Sequence, residues 1–263
     1  GGTRGRGPPG GRGNRPPALG PRFSAPGGVG HSPAAGCAMR PAMVEPARRW
    51  PVRGLYAITD GASSAQALAE RVAAWIAGGA RVVQYRDKSP DAARRLMEAR
   101  ALRAVCREAG VPLLINDDVA LAATVGADGV HLGRDDVDPA QARAQLGAGA
   151  LIGVSCYADL GQARAAVAHG ADYVAFGRFF ASATKPDAPP APLEVLRAAR
   201  AALPVPIVAI GGITPDNAPV LIAAGADLVA GIGGLTGAGP AARGRAHSQR
   251  VPAARGAAFS PGV

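Results

Sequence analysis

Two short acidic segments follow apolar runs, at points where buried strands would end. Asn116-Asp117-Asp118 comes directly after the run 111–115, and Asp135-Asp136 comes shortly after the run 129–133. If these runs are neighbouring parallel strands, their ends lie about 5 Å apart. Asp117 and Asp136 can then face one cation, and oxygen ligands with no nearby set of His or Cys favour Mg²⁺ over zinc.

The same acids have a structural alternative. Aspartate is a favoured N-cap residue, and a carboxylate also complements the dipole at the start of a helix. We expect one Asp of each pair to cap the helix that follows it. His131 lies inside the second run, where we expect a packed or hydrogen-bonded side chain without a catalytic role.

A basic and amide-bearing segment ends an earlier apolar run. Alternation along a strand places Gln84, Arg86 and Lys88 on one side. Two cations and an amide that reach into one opening suit a phosphate or a diphosphate. The alternative is a solvated charged loop in which the cations pair with Asp87.

Later segments supply further polar groups. Ser155 ends one run, and Ser182, Thr184 and Lys185 form a second candidate anion cradle on a loop. Gly211-Gly212 and Gly233-Gly234 follow two late runs, as in the usual phosphate site of an α/β barrel. This pattern predicts a phosphate site but does not say which phosphate binds.

The elements that would carry these groups alternate strictly along the chain. Ala-rich amphipathic segments such as 65–77, 91–109 and 160–169 predict helices between short apolar runs. Alternating strands and helices pair in parallel with right-handed crossovers. We therefore predict a (β/α)₈ TIM barrel, an α/β fold. An open doubly wound sheet is the alternative, but no G-x-G-x-x-G follows the first strand. The eight predicted strands are 54–60, 82–86, 113–116, 129–133, 151–155, 173–177, 206–211 and 228–233.

Several predicted helices end in a Gly-Ala pair, and three of these pairs continue as Gly-Ala-Asp, at Asp128, Asp172 and Asp227. Glycine suits the left-handed conformation that closes a helix before the next strand. The repetition of this unit indicates recurring strand–helix modules.

The net charge of +10 belongs to the ends of the chain. Residues 1–50 hold eight Arg and one Glu, residues 237–263 hold four Arg and no acid, and 51–236 carry a net charge of −1. We predict a disordered Gly/Pro/Arg-rich extension over 1–50, a barrel domain over 51–236 and a disordered basic tail over 237–263. The extension has three readings: a nucleic-acid-binding arm, a transit peptide, or, as we favour, sequence upstream of a start at Met39 or Met43.

Cys37, Cys106 and Cys156 lie far apart, which argues against a disulfide framework and agrees with a reducing cytoplasm. No apolar stretch approaches the ~20 residues of a transmembrane helix. We therefore expect a cytoplasmic protein with no membrane partner and no nucleic-acid partner.

Six segments together resemble the thiamine-phosphate synthase family, which also includes thiazole tautomerases. They are GLYAITD, VQYRDKS, INDDVALAATVGADGVHLGRDD, GVSC, SATK and VAIGGIT. The resemblance runs from about residue 54 to residue 233. The resemblance implies a transferase that joins an aminopyrimidine methyl diphosphate to a thiazole phosphate and releases diphosphate. It also implies Mg²⁺ as cofactor, and it leaves a homo-oligomer open because family members often pair.

By this resemblance, Asp117 and Asp136 would hold Mg²⁺. Five residues would bind the diphosphate: Gln84, Arg86, Lys88, Asn116 and Lys185. Of these, Arg86, Lys88 and Lys185 would be the catalytic cations. Ser155 would contact the pyrimidine. The thiazole phosphate would lie against Ser182, Thr184, Gly212 and Gly233, the last of which replaces a serine common in the family.

Three rival interpretations remain. A thiazole tautomerase would lack the metal acids and use a His as acid and base, so Asp117 and Asp136 argue against it. A nucleic-acid-binding protein would use the Arg-rich ends. An inactive barrel would follow if the atypical tail, whose composition suggests a shifted reading frame, has replaced the last helix.

Overall fold

The computed structural model describes Trp50 and residues 53–60, 64–181 and 190–231. The predicted disordered segments lie almost wholly outside these residues, and those predictions stay predictions. So do the predicted roles of Ser182, Thr184, Lys185 and Gly233, which are also outside the described part of the chain.

Eight parallel strands close into a barrel in which β1 pairs with both β2 and β8, so the predicted TIM barrel is confirmed. The strands are β1 (Gly54–Ile58), β2 (Ala80–Tyr85), β3 (Leu113–Asn116), β4 (Gly129–Leu132), β5 (Leu151–Tyr157), β6 (Tyr173–Gly177), β7 (Ile207–Ile210) and β8 (Leu228–Gly231). The helices between them are α1 (Ala65–Ala77), α2 (Ala92–Glu108), α3 (Val119–Val125), α4 (Pro139–Leu146), α5 (Leu160–Ala168), α6 (Glu194–Ala202) and α7 (Ala218–Ala223).

Alternation along the strands separates two apolar regions. Tyr56 and Ile58 of β1 point into the barrel, where they pack with Val82, Leu114 and Tyr173. Leu55 and Ala57 point outward into clusters that the helices cover. The strands are buried on both faces, which explains why they read as continuous apolar runs rather than as alternating ones.

The three Gly-Ala-Asp units have a common structural role at the start of the strands. The carboxylates of Asp128, Asp172 and Asp227 accept the amides of Leu113, Ile152 and Ile207, each in the preceding strand. Each carboxylate also pairs with an Arg from a helix, namely Arg103, Arg143 and Arg200. The repeat therefore ties two neighbouring strands and a helix together at the end of the barrel opposite the predicted site.

Replacing Asp227 by Ala is expected to lower the free energy of unfolding by about 2–4 kcal/mol. Asp227 is 7% exposed, and its removal leaves the Ile207 amide and the guanidinium of Arg200 without their acceptor. Urea denaturation measures the change. The matched control is Glu194→Ala, which breaks an exposed pair with Arg197 and should change stability by less than about 1 kcal/mol. Equal effects of the two variants would contradict this role for Asp227.

Candidate functional site

Some of the polar side chains predicted after β2 and β3 lie together at the carboxyl end of the barrel. A cavity of about 260 Å³ brings together groups from the loops after β2 and β3. It is lined by Asp87, Lys88, Ser89, Arg95, Asn116, Asp117 and Asp118. The structure therefore places Lys88 beside Asn116 and Asp117, as the parallel arrangement of the strands predicts.

Arg86 is held by its backbone while its side chain stays available. The Arg86 amide donates to the hydroxyl of Thr59, a buried residue that follows β1, at 2.8 Å. Within the described part of the chain, the Arg86 guanidinium makes no hydrogen bond or ion pair. Because its backbone is fixed and its guanidinium is unpaired, Arg86 is suited to bind an anionic ligand.

Gln84 is the one of the three predicted groups that lies within β2, which ends at Tyr85. Its side chain is 2% exposed, and its amide nitrogen has no hydrogen-bond partner among the described residues. A buried amide donor without a partner is costly in a folded protein. Gln84 therefore has the character of a group that binds a ligand rather than one that stabilises the free barrel.

The alternative in which Asp87 pairs with the neighbouring cations is wrong. Asp87 points away from Lys88 and instead accepts from Arg94 of α2 at 2.5 Å and from the Ser89 amide at 2.7 Å. Burial raises the pKa of Asp87, but these hydrogen bonds outweigh it and hold the pKa below its ordinary value. Asp87 thus fastens the loop between Arg86 and Lys88 to α2.

If Arg86 and Lys88 bind a diphosphate, as the family resemblance implies, replacing Asp87 by Asn should lower kcat/KM by about tenfold, because a loosened loop misplaces the two cations. The substitution should also reduce stability. Since the folded pKa is lowered, the stabilisation is present above the ordinary pKa of about 4 and is lost as pH falls through the folded pKa. The difference in unfolding free energy between wild type and variant should therefore shrink in acid. Glu70→Gln, on the exposed face of α1, is the control. A pH-independent difference would refute the assignment.

Asp117 and Asp136 lie next to each other at the ends of β3 and β4, close enough for their carboxyl groups to share a hydrogen bond. Lys88 donates to Asp117 in a short ion pair. The Asp117 amide bonds to the His131 carbonyl at 2.9 Å, and Asp117 has a left-handed backbone with φ of 62°. That conformation is uncommon for a residue other than glycine, and it turns the chain at the strand end.

The pKa values of the two acids shift in opposite directions. Burial raises the pKa of Asp136, and the hydrogen bond with Asp117 raises it further. Burial also acts to raise the pKa of Asp117, but the hydrogen bonds with Lys88 and Asp136 bring it below its ordinary value. Two adjacent carboxylates repel each other when both are ionised, and a bound divalent cation would relieve that repulsion.

The described residues contain no group of three or more His, Cys, Asp or Glu side chains that could hold a metal. Asp117 and Asp136 would therefore supply two oxygen ligands without a protein cage. Mg²⁺ is commonly bound in this way, through one or two carboxylates, several waters and the phosphates of a substrate. The donor set fits Mg²⁺ and does not resemble a structural zinc site.

The expectation that one Asp of each pair caps a helix is half right. Asp118 caps α3 by accepting from the Leu121 amide at 2.8 Å, and it also pairs with Arg95. The helix after β4 is instead capped by Asp138, so neither Asp135 nor Asp136 has that role. Asp136 accepts from the Gly133 amide at 2.6 Å, which turns its carboxylate back toward the strand end.

A chain of hydrogen bonds runs through the barrel interior below the opening. His131 contacts the Ser155 hydroxyl through Nε2 at 2.9 Å and the Tyr173 hydroxyl through Nδ1 at 2.7 Å. The Tyr173 hydroxyl contacts that of Tyr56 at 2.9 Å. Burial lowers the pKa of His131 to about 4, although the charge of Asp117 acts to raise it. His131 is thus a neutral, hydrogen-bonded residue, as we expected from the sequence.

The loop after β7 lies very close to the loop after β6 at Gly212. Gly212 has φ of 63°, and a Cβ there would lie 2.4 Å from the Ala181 carbonyl oxygen and 2.7 Å from that of Phe180. Any larger residue would push this loop away from the loop after β6. The Gly212 backbone therefore lies beside the start of the segment that contains Ser182, Thr184 and Lys185, whose own positions are outside the described residues.

Residues 55–235 match the family described as thiamine monophosphate synthase. The chain belongs to this family. It is 57% identical over 198 residues to the thiamine-phosphate synthase of Azoarcus sp. (strain BH72), which covers 75% of this chain and 96% of that protein. It is 58% identical over 188 residues to that of Marinobacter nauticus, covering 71% of this chain and 84% of the relative.

Solved structures agree with this assignment. A thiamine phosphate pyrophosphorylase from Pyrococcus furiosus is similar with a TM-score of 0.67 and 32% identity, over 75% of this chain and 95% of that one. A 3-hexulose-6-phosphate synthase at 20% identity and a TM-score of 0.59 shows the shared fold alone. The chain is therefore an enzyme of the thiamine-phosphate synthase type, acting on small molecules. None of the described helices is long and apolar enough to cross a membrane.

Sequence reasoning missed several residues that support the site. Thr59, which holds the Arg86 backbone, ends the first apolar run, and Arg94 was one of many arginines in a predicted helix. Tyr56 and Tyr173 looked like ordinary core residues. Only their shared property, a hydroxyl inside an otherwise apolar run, signals that each needs a hydrogen-bond partner.

Proposed function

We propose that the protein condenses an aminopyrimidine methyl diphosphate with a thiazole phosphate to give thiamine phosphate and diphosphate, with Mg²⁺ as cofactor. The observation that carries this proposal is the pair of adjacent carboxylates of Asp117 and Asp136, with Lys88 paired to Asp117 beside Asn116. The unpaired Arg86 lies two residues before Lys88 in the chain. The proposal is supported by two relatives that are named thiamine-phosphate synthase and are identical to this chain at more than half of the aligned positions.

The reaction needs charge stabilisation rather than a nucleophile from the protein. The carbon–oxygen bond to the diphosphate breaks first, and its electron pair leaves with the diphosphate. The thiazole nitrogen then attacks the pyrimidine carbocation to form the new carbon–nitrogen bond. Arg86, Lys88 and Lys185 would bind the leaving diphosphate with Gln84 and Asn116, and preorganised cations of this kind supply much of the rate enhancement.

Asp117 and Asp136 would hold Mg²⁺, which would neutralise part of the diphosphate charge when bound. Lys88 pairs with Asp117 in the free protein and would move its charge to the diphosphate oxygens once the cation occupies the carboxylates. On the other side of the site, Ser155 would contact the pyrimidine. Ser182, Thr184, Gly212 and Gly233 would hold the thiazole phosphate.

The test is to mix purified protein with Mg²⁺ and both substrates and to measure thiamine phosphate by mass spectrometry. We expect product that requires Mg²⁺ and both substrates. A folded protein that forms no product would contradict the proposal and favour the inactive barrel. Isomerisation of the thiazole phosphate without formation of thiamine phosphate would favour the tautomerase.

We further propose that the catalytic domain is 51–236, that it works in the cytoplasm and that nucleic acid is not a partner. The net charge of this segment is −1, in contrast to the basic ends. A truncated protein should begin at Trp50, because its ring stacks on Tyr173 at 4.1 Å between centroids. Full activity after removal of residues 1–49 would support the proposal, and loss of activity in a folded truncated protein would contradict it.

A further inference from the structure

The polar chain inside the barrel links the predicted pyrimidine contact to residues far from the opening. It consists of Ser155 on β5, His131 on β4, Tyr173 on β6 and Tyr56 on β1. The last three side chains are at most 8% exposed, whereas Ser155 is half-buried at the strand end. The inner end of the chain is closed by Trp50, which stacks on Tyr173.

The position of Tyr173 depends on a glycine in the neighbouring strand. Gly153 pairs with Tyr173 in the β5–β6 register, and a Cβ at Gly153 would lie 1.8 Å from the Tyr173 ring. A side chain at this position would therefore displace the ring. Glycine lets the phenol cross the interior and reach both His131 and Tyr56.

The hydrogens of this chain can point in two directions. In the outward direction Tyr56 donates to Tyr173, Tyr173 donates to His131 Nδ1, and His131 Nε2–H donates to Ser155. In the inward direction every bond is reversed, so His131 carries its proton on Nδ1. A neutral imidazole has one donor and one acceptor, so both directions satisfy His131 itself.

Tyr56 distinguishes the two directions. Among the described residues its hydroxyl has one hydrogen-bond partner, Tyr173. In the inward direction Tyr173 donates to Tyr56, and the buried Tyr56 hydrogen then has no acceptor. The nearby Trp50 cannot help, because an indole nitrogen only donates. In the outward direction all three buried hydrogens have acceptors, and an unmade buried donor is costly.

We infer that the chain is oriented outward, so that His131 positions Ser155 as a hydrogen-bond donor toward the substrate. His131 Nε2–H occupies a lone pair of the Ser155 oxygen, which leaves the hydroxyl hydrogen to point into the opening. The Ser155 hydroxyl therefore selects a hydrogen-bond acceptor, such as an unprotonated ring nitrogen of the pyrimidine. This step rests on the proposed function, whereas the orientation of the chain does not.

The orientation is tested by ¹⁵N NMR of the full-length free protein labelled at histidine. A His131→Asn spectrum identifies the signals of His131 among the four histidines. We expect the proton on Nε2 and none on Nδ1. In Tyr173→Phe, the Nδ1 signal should shift as its donor is lost, while Nε2 stays protonated.

Tyr56→Phe is the matched control, because it removes a hydroxyl that contacts Tyr173 and not the imidazole of His131. It should leave both His131 signals close to those of the wild type. A proton on Nδ1 in the wild type would overturn the inference, and so would an Nδ1 signal that does not respond to Tyr173→Phe. If Tyr173→Phe does not fold, the wild-type spectrum alone decides the orientation.

Recognition of the substrate is tested by calorimetry with the pyrimidine diphosphate alone, so that no turnover occurs. Ser155→Ala should weaken binding about tenfold, the effect of losing one hydrogen bond, and Ser155→Thr should restore it. Unchanged binding by Ser155→Ala would overturn the donor role. A protein that makes no thiamine phosphate would refute the proposed function, yet the tautomer of His131 would still be decided by NMR.

Discussion

Asp117→Asn is expected to lower kcat/KM for the pyrimidine diphosphate by about 10³-fold, the largest effect of any single substitution considered. Asn keeps the size of the side chain and tolerates the left-handed backbone that Asp117 adopts with φ of 62°. The substitution therefore removes a charge and a proposed metal ligand without adding backbone strain. Asp117→Ala would also add backbone strain to the loss of the charge, so its effect on kcat/KM would be harder to interpret.

The measurement is steady-state kinetics over a series of Mg²⁺ concentrations. Asp117→Asn should need more Mg²⁺ than the wild type for its residual activity, because one of two protein ligands is lost. The matched control is Asp135→Asn, an exposed neighbour of Asp136 with no contact to Asp117, which should keep wild-type kinetics. Wild-type activity and Mg²⁺ dependence in Asp117→Asn would rule out the metal site at these carboxylates.

Replacing Arg86 by Ala is expected to reduce kcat/KM for the pyrimidine diphosphate by about 10²-fold or more. The guanidinium has no partner in the described part of the free protein, whereas the charge of Lys88 is already paired with Asp117. Under the proposed function, Arg86 would bind the diphosphate without first breaking an ion pair. Arg86→Lys should restore only part of the activity, because an ammonium cannot bind two phosphate oxygens in a planar fork.

The matched control is Arg81→Ala, which removes the same charge from an exposed position near the other end of β2. It should leave the kinetics unchanged. Thermal denaturation of Arg86→Ala should be close to that of the wild type, because the bond between the Arg86 amide and Thr59 is retained. Equal kinetics for the Arg86 and Arg81 variants would mean that Arg86 does not bind the diphosphate.

The arrangement of the site has a simple electrostatic logic. In the free protein Lys88 offsets one of two adjacent carboxylates, and Arg86 remains unpaired. A divalent cation and a diphosphate arriving together would satisfy all four groups at once. The pairing of Lys88 with Asp117 stabilises this strongly charged site before the substrate binds.

Much of this protein could be predicted from its sequence, because parallel strands impose a simple geometry. The alternation of apolar runs and helices predicts the barrel, and the ends of successive strands must then lie side by side. That is sufficient to bring Asp117 near Asp136. Of the two helix caps predicted from the acid pairs, Asp118 provides one, whereas the helix after β4 is capped by Asp138.

Contacts between residues that are distant in the sequence were decided only by the tertiary structure. Tyr56 and Tyr173 are 117 positions apart and meet only because the barrel closes. The partner of Asp87 is an arginine on α2 rather than the lysine next to it, because the loop's two faces point to different neighbours. Strand periodicity determines which side of a strand a residue faces, but the identity of its partner depends on closure of the barrel and on which buried polar groups must satisfy one another.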